Sequence, residues 1–249
     1  MTKMYQSLST EVYCYDKPIG KSLDGDIEFY LHQLKTIQGV VLEPACGHGR
    51  MLIPLFMSGI HIEGFDQSSL MLSALQKEAK ARSISPITWR DNLLNFSTNK
   101  TYAGIIVPTG TWMLLDTESK SHKALKRCFH ALKTGGKIWI DLDASPTMKL
   151  GDQSIRIFQI NHHTRIELES RVIDFNPEEM VYTSIHHYRK FNQHEQIEEE
   201  IERFPLKFYK PNQFITLLET VGFTQVKVYA DYQKTSKQNA STITFEAIK

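Results

Sequence analysis

Between residues 40 and 143 the apolar positions keep two rhythms in turn. "GVVLEP", "IHIEGFD", "PITWRD", "AGIIVP" and "KIWIDLD" are short, β-branched-rich runs that read as strands. Between them lie "GRMLIPLFMSG", "LMLSALQKEAKARS" and "ESKSHKALKRCFHALK". In the last, Leu125, Cys128, Phe129 and Leu132 share one helical face. Pro54 sits near the first turn of one helix and Gly59 closes it. Ser68 and Ser69 are N-cap candidates for the next, and Gly135 and Gly136 end the third. Strand alternating with helix predicts an α/β, doubly wound parallel sheet with helices on both faces. Upstream, "DGDIEFYLHQL" predicts a helix with Ile27, Phe29, Tyr30, Leu31 and Leu34 on one side.

The rhythm changes after residue 150. Three stretches read as strands: "IRIFQINHHTRIELESRVIDF", "MVYTSIHHYRKF" and "QIEEEIERFPL", separated by the turns "NPEE" and "NQHE". A helix, "KPNQFITLLETVG", and a hairpin, "FTQVKVYADY" with "STITFEAI", follow. The expectation is a single domain over residues 1–249. Residues 1–36 form an N-terminal segment, 37–150 the ligand-binding core, 151–206 an antiparallel insertion, and 207–249 the last helix and hairpin.

The chain of 249 residues carries a formal net charge of +1, so no electrostatic footprint for nucleic acid or an anionic membrane is present. Apolar runs are too short for a membrane span and no signal-peptide core is visible. Cys14, Cys46 and Cys128 are odd in number and far apart, which argues against a disulfide framework or a zinc site and for a reducing cytoplasm. His162–His163 and His186–His187 invite a metal or base reading. Adjacent strand residues face opposite ways, however, so each pair offers one ring to any site, and no ligand set completes a metal sphere. "IEEEIER" reads as a solvated strand face, with Glu199 or Glu200 meeting a cationic substrate as the sharper alternative.

The chemistry is concentrated in "VLEPACGHGR". A strand, a glycine turn and a helix suit a nucleotide, but a dinucleotide fold asks for a third glycine where this chain has Leu52. Glu43, ahead of the turn, repels a phosphate and suits a cationic amine. Gly47 and Gly49 form the turn. Asp66, at the end of the second strand, can accept two ribose hydroxyls or cap the following helix. Asp91, in "WRDNLL", can accept from an adenine amino group or lie in a surface loop. Arg50 meets a ligand carboxylate or stands on a solvated helix face. The ligand therefore carries a ribose and a positive group, without phosphates.

In these features the chain resembles the class I S-adenosylmethionine-dependent methyltransferases, through "VLEPACGHGR", "GFDQS", "RDNLLNF", "IIVPTGTWMLL" and "LKTGGKIWIDL". "FYKPNQFITLLETVGFTQVKVY" is similar to a small-molecule subgroup that includes amino-sugar N,N-dimethyltransferases, although Lys207 and Gln213 stand where that subgroup usually has Arg and Glu. The resemblance implies a Rossmann-like, seven-stranded sheet with its last strand antiparallel and the insertion over the cofactor cleft. It implies S-adenosyl-L-methionine as cofactor, with Tyr15, Glu43, Ala45, Gly47, Gly49, Arg50, Asp66, Gln67, Asp91, Asn92, Leu93 and Pro108 around it. It also implies an N-terminal lid over the cofactor bearing Tyr15, which is otherwise a packing residue.

The expected function is in-line methyl transfer to a small molecule, foremost an amine, by a monomer or homodimer that binds neither nucleic acid nor membrane. The end of strand four, "VPTGTW", lacks the Asn/Asp-Pro-Pro-aromatic signature of nucleic-acid and protein amide methylation. Tyr15, Thr111, Trp112, His186 and His187 are the candidates for catalysis, and Tyr182, Tyr188, Glu199 and Glu200 for holding the acceptor. Peptide or protein N-methylation, small-molecule O-methylation and non-catalytic cofactor binding are the alternatives.

Overall fold

The computed structural model describes residues 4–233 and 240–249. The core is a sheet of β1 (Val41–Pro44), β2 (Ile62–Asp66), β3 (Thr88–Arg90), β4 (Tyr102–Val107), β5 (Leu132–Asp143), β10 (Thr224–Ala230) and β11 (Thr242–Ile248). Their order is β10-β11-β5-β4-β1-β2-β3, with β11 antiparallel to both its neighbours. Consecutive apolar residues feed opposite layers. Leu42, Ile105 and Ile140 pack with α5 (Glu118–Ala131) and α6 (Pro211–Val221). Val41, Ile106 and Trp139 pack with α2 (Asp26–Leu34), α3 (Leu52–Met57) and α4 (Ser69–Ala81). That two-sided burial is why these strands read as continuous apolar runs. The order reverses between β1 and β4, so the crevice at their carboxyl ends is where such a sheet takes its ligand.

The insertion is a separate antiparallel sheet, β6 (Gln153–Gln159), β7 (Thr164–Asn176), β8 (Val181–Asn192) and β9 (Glu195–Lys207). It has four strands where the pattern predicts three stretches. The run 155–175 folds back on itself at Asn161, whose side-chain oxygen accepts from the N–H groups of His163 and Thr164, each at 2.9 Å. His162 and His163 therefore lie exposed at a turn, and the opposite-faces argument does not apply to them.

A helix absent from the sequence reading, α1 (Ser7–Asp16), bridges the two sheets. Its Leu8 and Val12 are buried among Phe158, Ile166, Leu168 and Tyr188 of the insertion. No side chain of its own caps it. Glu200 accepts from the Leu8 N–H at 2.7 Å and the Ser9 N–H at 3.1 Å, while Glu202 accepts from Gln6 N–H at 3.2 Å and Ser9 Oγ at 2.6 Å. Two buried carboxylates thus satisfy the free donors and the positive end of the helix. "IEEEIER" is solvated on one face only: Glu199 and Ile201 are exposed, while the alternate Glu200 and Glu202 hold α1.

Candidate active site

The turn after β1 puts two positive-φ residues beside the crevice, Ala45 (+54°) and Gly47 (+56°). Ala45 carries a Cβ in a region L-residues avoid, a strain of about 1–3 kcal/mol that surrounding structure must impose. Here Cys46 N–H donates to Phe65 O at 3.0 Å and Gly47 N–H to Asp66 Oδ2 at 2.9 Å. The missing third glycine has a substitute. A Cβ on Gly64 of β2 would lie 2.5 Å from Leu52 Cδ1, so the close helix–strand approach is granted by the strand.

Around this turn lies a cleft of about 420 Å³. Of the residues expected at the cofactor, Ala45, Gly47, Asp66, Gln67, Asp91, Asn92 and Leu93 line it, as does Thr111 at the start of a short 3₁₀ turn, Thr111–Leu114. Asp66 also accepts from Ser68 N–H at 2.8 Å, so it orders the turn and the start of α4 together. Burial raises its pKa, and the backbone donors of Ser68, Gly47 and Gln67 pull it back. Asp91 accepts from Asn92 N–H at 2.8 Å, which aims the loop, and Asn92 caps its own turn through Leu94 N–H.

Glu43 lies buried behind the turn with its Oε2 unpartnered. Burial pushes its pKa to about 8, against the pull of Arg50 and with a further push from Asp66 and Asp26. A cation arriving in the crevice would relieve that buried carboxyl. Together with the glycine turn and the strand-end acids, this donor set fits a ribose-bearing cation.

Other expected residues lie elsewhere. Arg50 is buried in an ion pair with Asp26 at 2.5 Å and also donates to Lys21 O and Thr109 Oγ1, so the position predicted to face a ligand carboxylate is committed inside the protein. Gly49 serves packing, since a Cβ there would sit 3.0 Å from Leu75 Cγ. Pro108 is buried and does not line the cleft. Trp112 is fully buried against Phe214. Tyr15 is 49% exposed, with its ring edge-on to Phe158. Residues two apart on a helix face nearly opposite ways, so Tyr13 takes the place in the cleft that the segment was expected to give Tyr15. Tyr13 packs edge-on to Tyr5 at 5.7 Å and to His48 at 5.4 Å.

The acceptor-side candidates on the insertion are also displaced. His186 stacks on Phe204, and burial lowers its pKa to about 4. His187 pairs with Glu199 at 2.8 Å. Tyr188 is buried under α1, and Tyr182 stacks on Phe175 at 4.3 Å. Lys207 is buried on Glu179, and Gln213 donates to Glu118, so both are structural. The insertion reaches the cleft through Arg203 and Pro205 of β9, beside Leu114, Leu115 and the Asp116–Lys120 ion pair. Pattern gave no signal for these, because their meeting depends on how the two sheets pack. Among the described residues no cluster of His, Cys, Asp or Glu could hold a metal.

Residues 41–136 match the sequence family described as "Methyltransferase domain". Solved structures share the whole fold. An S-adenosylmethionine-dependent methyltransferase from Clostridium acetobutylicum superposes with TM-score 0.76 at 16% identity, over 96% of this chain and 97% of that one. The methyltransferase CcbJ from Streptomyces caelestis gives 0.75 at 16%, over 94% of each chain. The sugar N-methyltransferase KedS8 from Streptoalloteichus gives 0.76 at 15%, over 100% of this chain and 96% of that one. No curated protein sequence matches the chain. Residues 41–136 thus match a methyltransferase domain, and with this strand order and crevice the whole chain shares the fold of these S-adenosylmethionine-dependent methyltransferases.

Proposed function

We propose that the chain methylates an amine of a small molecule. The observation that carries this reading is the make-up of the cleft opposite the glycine turn. Tyr5 and Tyr13 stand there with Thr111, Leu114 and Leu115. Burial, first among the causes, holds both phenols above their ordinary pKa, so they stay protonated and serve as donors and aromatic walls rather than bases. An amine nucleophile has only to arrive unprotonated, whereas a hydroxyl needs a base. KedS8, a sugar N-methyltransferase, and CalS10, an amino pentose methyltransferase from Micromonospora echinaspora, share the fold and point the same way.

In this reading Asp66 accepts the ribose hydroxyls, Asp91, Asn92 and Leu93 hold the adenine, and Gly47 lets the ligand approach the backbone. Glu43 answers the positive charge. S-adenosylmethionine, when bound, supplies an electrophilic methyl group. The protein's part is to align the acceptor and keep water out, an effect worth about 7–11 kcal/mol of barrier when geometry is good. Tyr5 and Tyr13 add cation–π attraction of about 0.5–2 kcal/mol each. A cleft of about 420 Å³ under α1 and β9 suits a small acceptor better than a polypeptide.

The test is incubation with isotopically labelled methyl donor and a small-molecule extract, followed by mass spectrometry. An N-methylated product is expected, formed faster as pH rises and the amine loses its proton. An O-methylated product, or loss of turnover in His186→Ala or His187→Ala with cofactor binding intact, overturns the amine reading.

A further inference from the structure

Asp141 of β5 is fully buried, and no cation lies within bonding distance of it in the described residues. Four donors from four parts of the chain meet its carboxylate. Oδ1 accepts from Tyr30 of α2 at 2.8 Å and Thr244 of β11 at 2.8 Å. Oδ2 accepts from Tyr232 at 3.0 Å and from the Thr109 N–H at 3.0 Å. Thr109 is the informative partner. It follows β4, beside the cleft, with φ +59°. For a β-branched residue that is an outlier costing about 1–3 kcal/mol, which persists only if surrounding groups impose it. Asp141 holds its N–H, and Arg50, itself clamped by Asp26, donates to its Oγ1 at 2.6 Å. Two residues later Thr111 opens the 3₁₀ turn that supplies Thr111 and Leu114 to the cleft wall.

We propose that Asp141 is a positioning residue for methyl transfer: by binding the Thr109 N–H it holds the loop after β4 in its left-handed conformation and so places Thr111 and Leu114 against the acceptor. The other three donors tie that carboxylate to the core, so the position of the loop is fixed relative to the sheet. A buried charge is an expensive way to join α2 to β11, and an apolar pair would do that as well. The carboxylate is needed because one group must accept four times, once from a strained backbone N–H. Asparagine has one acceptor oxygen, so its amide nitrogen would face two donors.

The proposal rests on the cleft being the methyl-transfer site, and the readouts separate the two. Asp141→Asn is compared with Thr244→Val, which removes one core donor without touching Thr109. Three quantities are measured: affinity for S-adenosylhomocysteine by calorimetry, the ¹⁹F resonance of Trp112 in 5-fluorotryptophan-labelled protein, and methyl incorporation from labelled donor into the small-molecule extract at saturating donor. Asp141→Asn is expected to keep the affinity within about threefold, to shift or broaden the Trp112 resonance, and to slow transfer at least tenfold. Thr244→Val is expected to leave the Trp112 resonance and the rate within twofold even where its melting temperature falls as far. Equal behaviour of the two variants in the Trp112 spectrum overturns the proposal, whether or not the extract contains an acceptor. Loss of S-adenosylhomocysteine binding by the unaltered protein would instead sink the assignment of the cleft. If Asp141→Asn does not fold, adding Thr109→Gly decides. Glycine adopts φ +59° without strain, so the double variant folds if the carboxylate holds that backbone; a double variant that also fails to fold overturns the proposal.

Discussion

The two sheets of this molecule use their carboxylates in opposite ways. At the carboxyl ends of the core strands, Asp66 and Asp91 turn toward the cleft, accept from nearby backbone N–H groups, and keep acceptor capacity for a ligand. In the insertion, Glu200 and Glu202 spend theirs on the start of α1. The core strands are buried on both faces. The insertion covers α1 with one face and leaves Ile155, Ile157 and Ile201 of the other 64%, 62% and 45% exposed. Acids on neighbouring elements thus share a chemistry but not a place: in one sheet they line the cleft, in the other they hold the helix beside it.

The sharpest way to break that comparison is to remove an acid that holds α1. Glu200→Ala leaves two N–H groups at the start of α1 without their acceptor, at about 1.5–3 kcal/mol for each bond to a charged group. Hydrogen exchange should rise across Ser7–Asp16 while β1, β4 and β5 stay protected, and cofactor affinity should fall through Tyr5 and Tyr13. Exchange that is unchanged in α1 would show that apolar packing alone seats the helix.

The matching change in the core, Asp66→Ala, should weaken cofactor binding by about 1.5–3 kcal/mol in calorimetry with little loss of melting temperature. Normal binding would place Asp66 on the structural side of the comparison.

Glu43 tests the core by pH. Its pKa rises from 4.5 to about 8 on folding, so the folded state holds that proton more tightly than the unfolded one. The stability this proton contributes is present below about 4.5 and is lost as pH rises through about 8, at about 1.4 kcal/mol per pKa unit. Cofactor binding at pH 7 should lower the pKa again and release protons, seen as a binding heat that depends on the buffer's ionisation heat. Glu43→Gln should abolish that dependence; a wild-type heat that is the same in all buffers contradicts it.

The smallest effect is expected at Tyr15→Ala, within about 0.5 kcal/mol on cofactor binding, against a loss of about 1 kcal/mol or more for Tyr13→Ala. Reversed results would mean that α1 turns on its axis when the cofactor binds.

Legibility divides along the same line as the carboxylates. The parallel strands, their helices and the strand-end positions of Glu43, Asp66 and Asp91 were readable because each stands at a defined place in a local unit of strand, turn and helix; that Asp66 and Asp91 line the cleft while Glu43 is buried behind it was not. The Tyr13 face of α1 was not readable. Its sequence carries no cap and only a weak amphipathic pattern, and the groups that stabilise it lie almost two hundred residues away. Nor was the break at Asn161, because the apolar pattern runs on through the turn.

The sequence by itself determined the core and the place of the acids beside the glycine turn, since burial on two faces and a glycine turn impose residue types at short range. Tertiary structure alone decided which of two similar side chains does which job. It chose Tyr13 over Tyr15, gave Glu200 to a helix and not a substrate, and drew Arg50 to Asp26 and away from the cleft. It also let Gly64 make room for Leu52. Those choices depend on distances between elements far apart in the chain, and a period of two or 3.6 residues carries no information about them.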